Sequence, residues 1–232
     1  MKRTFITGAN RGLGLEFVRQ YLTRGANVFA SCRHPQNAPE LAQLATQYPD
    51  HLQIIELAIT DDRSIEQAAL ATAHLIDALD LLINNAGMLV RGEQLATLEA
   101  QTLMESFAVN AVAPIMIVKH FLDLLKKGTD PTILNVSSQL GSITNARRST
   151  LYSYSASKAG LNMFNRILAH ELRPLGITSI VIHPGWVQTD MGGSNASLTP
   201  NESVRGMIRL LESLKPEDSG EFFQWNGTRL PW

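Results

Sequence analysis

Tyr154 and Lys158 stand four apart in the stretch YSASK, separated by Ser155, Ala156 and Ser157. On a helix, positions i and i+4 share a face one turn apart, so the phenol and the ammonium project side by side. The small residues between them leave that face open to something large and flat. A phenol with an ordinary pKa near ~10 is ionised in only about one molecule in a thousand at pH 7. A neighbouring ammonium favours the phenolate, and a pKa lowered toward neutrality brings Tyr154 into the range where a general acid works best. Of the four tyrosines this one alone has a lysine four residues on: Tyr21, Tyr48 and Tyr152 are followed there by Gly25, Leu52 and Ala156. The same spacing also suits an ordinary surface pair, so other motifs have to decide.

A second group of residues suits a dinucleotide. In TGANRGLG (7–14), Gly8 can make a tight turn, Gly12 lets the backbone approach a pyrophosphate, and Gly14 lets a following helix pack closely. Asn10, Arg11 and Leu13 fill the same loop, and the helix start behind it points free N–H groups at phosphates. The next apolar run ends in Ser31-Cys32-Arg33 without an acid. An acid there would hold the adenosine ribose hydroxyls; an arginine suits a 2′-phosphate instead. Arg33, helped by Arg11, therefore favours NADP over NAD. NNAGM (84–88) offers Asn84, Ala86 and Gly87 as a brace that lets a cofactor pass, although an Asn-Gly-type turn has the same composition. SSQLGS (137–142) places a hydroxyl pair at another strand end. In HPGWVQTDM (183–191), Pro184-Gly185 turns the chain and Thr189 can reach a carboxamide.

The elements that must position these residues alternate. Short apolar runs at 3–7, 27–32, 52–57, 80–84, 132–137, 178–183 and 220–225 read as strands. Between them lie amphipathic segments: one after Gly12 stopped by Gly25, then 39–48, 61–79 with an aspartate cap, 99–127, 152–173, and one opened by Thr199-Pro200-Asn201-Glu202 as a capping box with proline at N1. This alternation predicts an α/β chain, a doubly wound sheet with helices on both faces, and ligands at the carboxyl ends of the strands. No linker or repeat interrupts it, so 1–232 reads as one domain.

Composition excludes several classes. With a net charge of −1 the chain carries no basic stripe for nucleic acid, and Arg147-Arg148 is its densest internal basic spot. The N-terminus lacks the apolar run of a signal peptide, and the longest apolar stretch, 111–118, is too short for a bilayer. One cysteine, Cys32, allows no intrachain disulfide, and the histidines lack metal spacing. A cytoplasmic protein without metal, membrane or nucleic acid is the expectation.

Taken together, Thr7-Gly8-x-x-x-Gly12-x-Gly14, Asn84-Asn85-Ala86-Gly87, Ser138, Tyr154-x-x-x-Lys158 and Pro184-Gly185 resemble the short-chain dehydrogenase/reductase family, in its order and near its spacing over essentially the whole chain. SSQLGSI and GEFFQWNGTRLPW look most like its carbonyl-reductase branch, which includes sniffer and the C-factor signalling protein. The resemblance implies a single-domain Rossmann fold with a seven-stranded, mostly parallel sheet and NADP(H) as cofactor. It implies Tyr154 as general acid and Lys158 on the nicotinamide ribose. Ser138, the second of the pair, would donate to the substrate carbonyl in preference to Ser137, and Asn110 would hold a water that links the lysine to solvent. Gly185 and Val187 join the cofactor site. Where the family carries an aspartate after its third strand, this chain has Ala58, which removes a partner for the adenine amino group. Extra residues also separate Ser138 from Tyr154, in TNARRSTLY.

Leu140, Trp186 and Met191 are expected to line an apolar substrate pocket, under a glycine- and serine-rich lid at about 186–200. The expected activity is NADPH-dependent reduction of an apolar ketone, aldehyde or quinone. Two rivals are a signalling protein that binds the dinucleotide with little turnover and a biosynthetic oxoacyl or pterin reductase, for which Arg147-Arg148 would meet an acidic carrier. The resemblance also implies a homodimer or homotetramer, formed through the two long helices.

Overall fold

The computed structural model describes residues 1–146 and 151–232. Seven strands form one sheet: β1 (Arg3–Thr7), β2 (Asn27–Cys32), β3 (Leu52–Glu56), β4 (Leu81–Asn84), β5 (Thr132–Val136), β6 (Thr178–His183) and β7 (Phe222–Gln224). Their order is β3-β2-β1-β4-β5-β6-β7, and every neighbouring pair is parallel. The order reverses between β1 and β4, which opens a crevice at their carboxyl ends.

Both faces of the sheet are buried, which is why the strands read as apolar runs rather than alternating ones. Ile6, Leu81, Ile83 and Leu134 face α1 (Gly12–Thr23) and α7 (Pro200–Ser213). Phe5, Leu82 and Ile133 face the other layer, whose core includes Ile65, Ile117, Phe121 and Leu172. That layer comprises α3 (Asp62–Ala73), α4 (Ala100–Phe107), α5 (Ala113–Leu125) and α6 (Tyr152–Leu172); the short α2 (Pro39–Gln47) sits beside β3. The capping box of α7 forms as read, with Thr199 and Glu202 exchanging hydrogen bonds.

Two helices depart from expectation. The segment read as one helix over 61–79 ends at Ala73. Leu79 donates to the carbonyl of Leu124 and Asp80 to that of Arg3, so the chain must already be extended there to enter the sheet. The long helix over 99–127 contains a π segment, Ala108–Val112, between α4 and α5. Pro114 has no N–H to give the carbonyl of Asn110 one turn earlier, so the regular ladder is broken at this point. By length and composition Ala100–Leu125 could cross a membrane. In the fold, its Ile117, Val118, Phe121 and Leu125 are buried in the core.

A chain of buried amides ties α6 to the sheet. The Asn84 side chain donates to Asn135 Oδ1 at 2.8 Å, and Asn135 donates to Asn165 Oδ1 at 3.0 Å. That same Asn165 oxygen accepts from Ser179 Oγ at 2.8 Å. The ladder crosses β4, β5 and β6 and sets the height of α6 above the strand ends.

Candidate active site

The glycine loop leaves β1 through Gly8, whose φ of +63° only glycine adopts without strain. A Cβ on Gly14 would lie 2.1 Å from the carbonyl oxygen of Gly8, so α1 could not pack there with any other residue. Arg11 stands at the N-cap of α1 without a side-chain cap, so the first N–H groups of the helix are left for an anion. Thr7 Oγ1 accepts the N–H groups of Asn85 and Ala86, each at 3.0 Å. The Asn85 amide donates back to the carbonyls of Thr7 and Gly8 at 2.9 and 3.1 Å. These bonds lock the ends of β1 and β4 into one rigid floor.

A cleft of about 600 Å³ opens above this floor. Gly8, Asn10, Arg11, Gly12 and Leu13 line it, as do Arg33, Ala86 and Gly87. Tyr154, Lys158, Pro184, Thr189 and Met191 close it. Its length, from the end of β2 to α6, and the uncapped helix start at its centre fit a dinucleotide.

Several expected residues lie elsewhere. Asn84 is the last residue of β4; it turns inward to Asn135 and to the carbonyl of Pro114. Asn85 braces the loop in its place. Gly14 is spent on packing. Gly185, with φ +85°, makes the turn after β6, and Val187 is buried beneath the loop that follows. Ser138, Leu140 and Trp186 stand outside the cleft lining, in which Ser137 takes part; the indole N–H of Trp186 is bonded to the carbonyl of Gly192 at 2.8 Å. Arg11 pairs with Asp190 at 2.7 Å, which leaves Arg33 as the cleft arginine with no acid partner among the described residues. The cleft also takes in Ile59, Thr60, Met88, Val109 and Val136, apolar or small residues whose types carried no chemical signal. Ala58 lines it too, with its N–H bonded to Ser64 Oγ at 2.9 Å. Arg147 and Arg148 lie outside the described residues.

The segment read as a lid is held by its own bonds. Gln188 and Leu198 donate to the carbonyls of Leu198 and Trp186, and the Gln188 amide donates to Ala196. Arg91 reaches across from the β4 side to the carbonyl of Met191 at 2.6 Å.

The tyrosine and lysine expected to do chemistry sit on the first turns of α6. Lys158 is buried; its ammonium donates to the Val136 carbonyl at 2.7 Å, and desolvation pulls its pKa down to about 8. Tyr154 runs opposite to the shift read from the sequence. Burial pushes its phenol above 10, and a hydrogen bond with the Ser138 side chain only partly offsets this. The protein alone therefore keeps Tyr154 protonated. Ser138 also caps the turn at 139–141, accepting the Leu140 N–H at 3.1 Å. Ser137 Oγ donates to Asn162 Oδ1 at 2.7 Å, so the first hydroxyl of the pair is spent on α6.

Asn110 is fully buried rather than exposed helix surface. Its Oδ1 accepts the Met88 N–H at 2.9 Å, and its amide donates to the Met88 carbonyl at 2.9 Å and to Ser157 Oγ at 3.0 Å. Both amide hydrogens are thus engaged, and Oδ1 keeps one lone pair. His183 keeps an unbonded buried Nδ1, and burial lowers its pKa to about 4.

Residues 2–198 match the family described as short chain dehydrogenase. Over 164 residues the chain is 40% identical to the C-signal of Myxococcus xanthus, a match that spans 71% of this chain and 99% of that protein. The carbonyl reductase from chicken fatty liver, in a crystal structure with NADPH bound, superposes with a TM-score of 0.95 at 38% identity, covering 100% of this chain and 99% of the other. The carbonyl reductase Sniffer of D. melanogaster superposes at 0.96 with 32% identity over the full length of both chains.

Proposed function

The chain belongs to the short-chain dehydrogenase family, and on that premise we propose that it reduces an apolar ketone, aldehyde or quinone with NADPH, Tyr154 supplying the proton. The observation that carries this reading is geometric: Tyr154 lines the dinucleotide-sized cleft, and Lys158, buried and bonded to the Val136 carbonyl, stands one turn further along α6 on the same wall. NADPH supplies the hydride when bound. Gly12, Leu13 and the uncapped start of α1 would hold its pyrophosphate, and Arg33 its 2′-phosphate.

The remaining work falls to the chain itself. As the carbonyl carbon is reduced, negative charge gathers on its oxygen. Ser138 donates to that oxygen and stabilises the charge. Tyr154 delivers its proton to the same atom, which a phenol held neutral by burial is suited to do. Lys158 keeps a positive charge beneath the phenolate that remains, and its ammonium would bond the nicotinamide ribose. Met191, with Met88 and Val109, gives the cleft an apolar portion, which favours an apolar substrate.

NADPH oxidation by the purified protein with a panel of apolar ketones, aldehydes and quinones tests the reading. Turnover with at least one class supports it. The 40% identity to C-signal favours a second reading, a signalling protein that binds the dinucleotide; tight NADPH binding with no turnover on any carbonyl would support that one instead. Association as a dimer or tetramer belongs to the same proposal: Met104 on α4 and Met163, Phe164 and Ile167 on α6 form an exposed apolar face.

A further inference from the structure

Glu93 is a buried carboxylate, 7% exposed, in the connection between β4 and α4. Burying a charge costs several kcal/mol unless something compensates it. The other buried acids have evident partners: Asp80 pairs with Arg3, and Glu16 bonds Gln20 and Asn201. No lysine or arginine among the described residues pairs with Glu93. Both its oxygens instead accept the backbone N–H of Ser153, at 3.3 and 3.2 Å.

Ser153 lies in the first turn of α6, one residue before Tyr154. That helix has Leu151 at its N-cap, which makes no side-chain cap. The orphan N–H groups of a helix start need acceptors, and the dipole there favours negative charge. Glu93 meets both needs from a distant part of the chain. Its own loop is anchored just ahead of it: Asn110 grips both the N–H and the carbonyl of Met88, and Arg91 bonds the carbonyl of Met191.

We infer that Glu93 is a positioning residue for the reduction: its carboxylate holds the first turn of α6 in place and so aims the Tyr154 hydroxyl at Ser138. Helix ends fray, and Tyr154 stands only two residues inside this one. A proton donor displaced by about 1 Å can lose about a hundredfold in rate. The inference rests on the carbonyl-reductase reading for its catalytic half, while the capping half does not need turnover.

The full-length chain and its Glu93→Ala and Glu93→Gln variants would be compared by three measurements. Hydrogen exchange of the peptide spanning 151–157 reads the cap without cofactor or substrate. NADPH affinity by fluorescence reads the cleft, and steady-state kinetics with the best carbonyl read the aim of Tyr154. The expected result is exchange in that turn of Glu93→Ala faster by about tenfold with β4 and β5 unchanged. It should come with kcat lower by about tenfold to a hundredfold, NADPH affinity within about twofold, and substantial recovery of both in Glu93→Gln, whose amide oxygen still accepts. Unchanged exchange in Glu93→Ala would overturn the inference. So would a parallel loss of kcat and NADPH affinity that glutamine does not recover. Absence of turnover in the wild-type protein would count against the reduction reading alone, and the exchange result would still decide whether Glu93 holds the helix.

Discussion

The ammonium of Lys158 lies 5.9 Å from the centroid of the Tyr154 ring while donating a 2.7 Å hydrogen bond to the carbonyl of Val136, in a largely buried position at the cleft wall. The lysine is thereby held under the phenol at the cost of its own hydration. Its pKa falls from 10.5 to about 8, so the unfolded chain binds more protons than the folded one between those values.

Stability should therefore rise with pH across that window, and the cost of burying this charge should be fully present below pH 8. Lys158→Met should raise the stability measured by urea unfolding at pH 7 by about 1–3 kcal/mol while lowering kcat/KM by at least about a hundredfold. In the wild-type enzyme kcat/KM should decline as pH rises through about 8, as the ammonium loses its proton. A variant no more stable than wild type at pH 7 would contradict this account.

Tyr154→Phe removes the proposed proton donor but leaves the cleft intact. Its kcat should drop by about 10² to 10⁴ with NADPH affinity nearly unchanged. Fluorescence titration beside the kinetic assay separates the two effects; equal losses in both would assign Tyr154 to binding.

Arg33 lines the cleft at the end of β2, and no described acid pairs with it. Hydrogen bonds to charged groups contribute about 1.5–3 kcal/mol. Arg33→Ala should then lower kcat/KM for NADPH by about ten- to a hundredfold and leave NADH within about twofold. An equal loss with both cofactors would remove the assigned role.

Asn165 takes bonds from both Asn135 and Ser179 in the buried ladder. Asn165→Ala strands two donors and opens a cavity, so it should cost about 2–4 kcal/mol, or a Tm lower by about 5–12 °C. Calorimetry on the variant checks this; a Tm within about 2 °C of wild type would show that the ladder relaxes around the gap.

Met163 and Ile167 are 63% and 54% exposed on one face of α6. The Met163→Glu, Ile167→Glu double variant should sediment as a monomer at concentrations where the wild-type chain is a dimer or tetramer. A monomeric wild-type protein in the same ultracentrifuge run would discard this interface.

By itself the sequence determined the layout of strands and helices, because the core is built on runs and periods that local pattern reveals. It also determined the glycine turn at Gly8, the tyrosine–lysine spacing and the absence of an acid beside Arg33, all of which are local. Only the tertiary structure decided what each of the two adjacent asparagines does and what occupies the serine that the sequence had set aside. Asn85 rather than Asn84 braces the loop, because the last strand residue must turn into the sheet and the next one out of it. Ser137 is spent on Asn162, leaving the Ser138 side chain to pair with Tyr154. The direction of the Tyr154 pKa also lay beyond spacing: a lysine four residues away suggests a lowered value, but burial depth sets the result, and depth arises from what the rest of the fold packs around the ring. Glu93 was invisible for the same reason. A carboxylate in a loop reads as solvated until the chain brings a helix start 60 residues away against it.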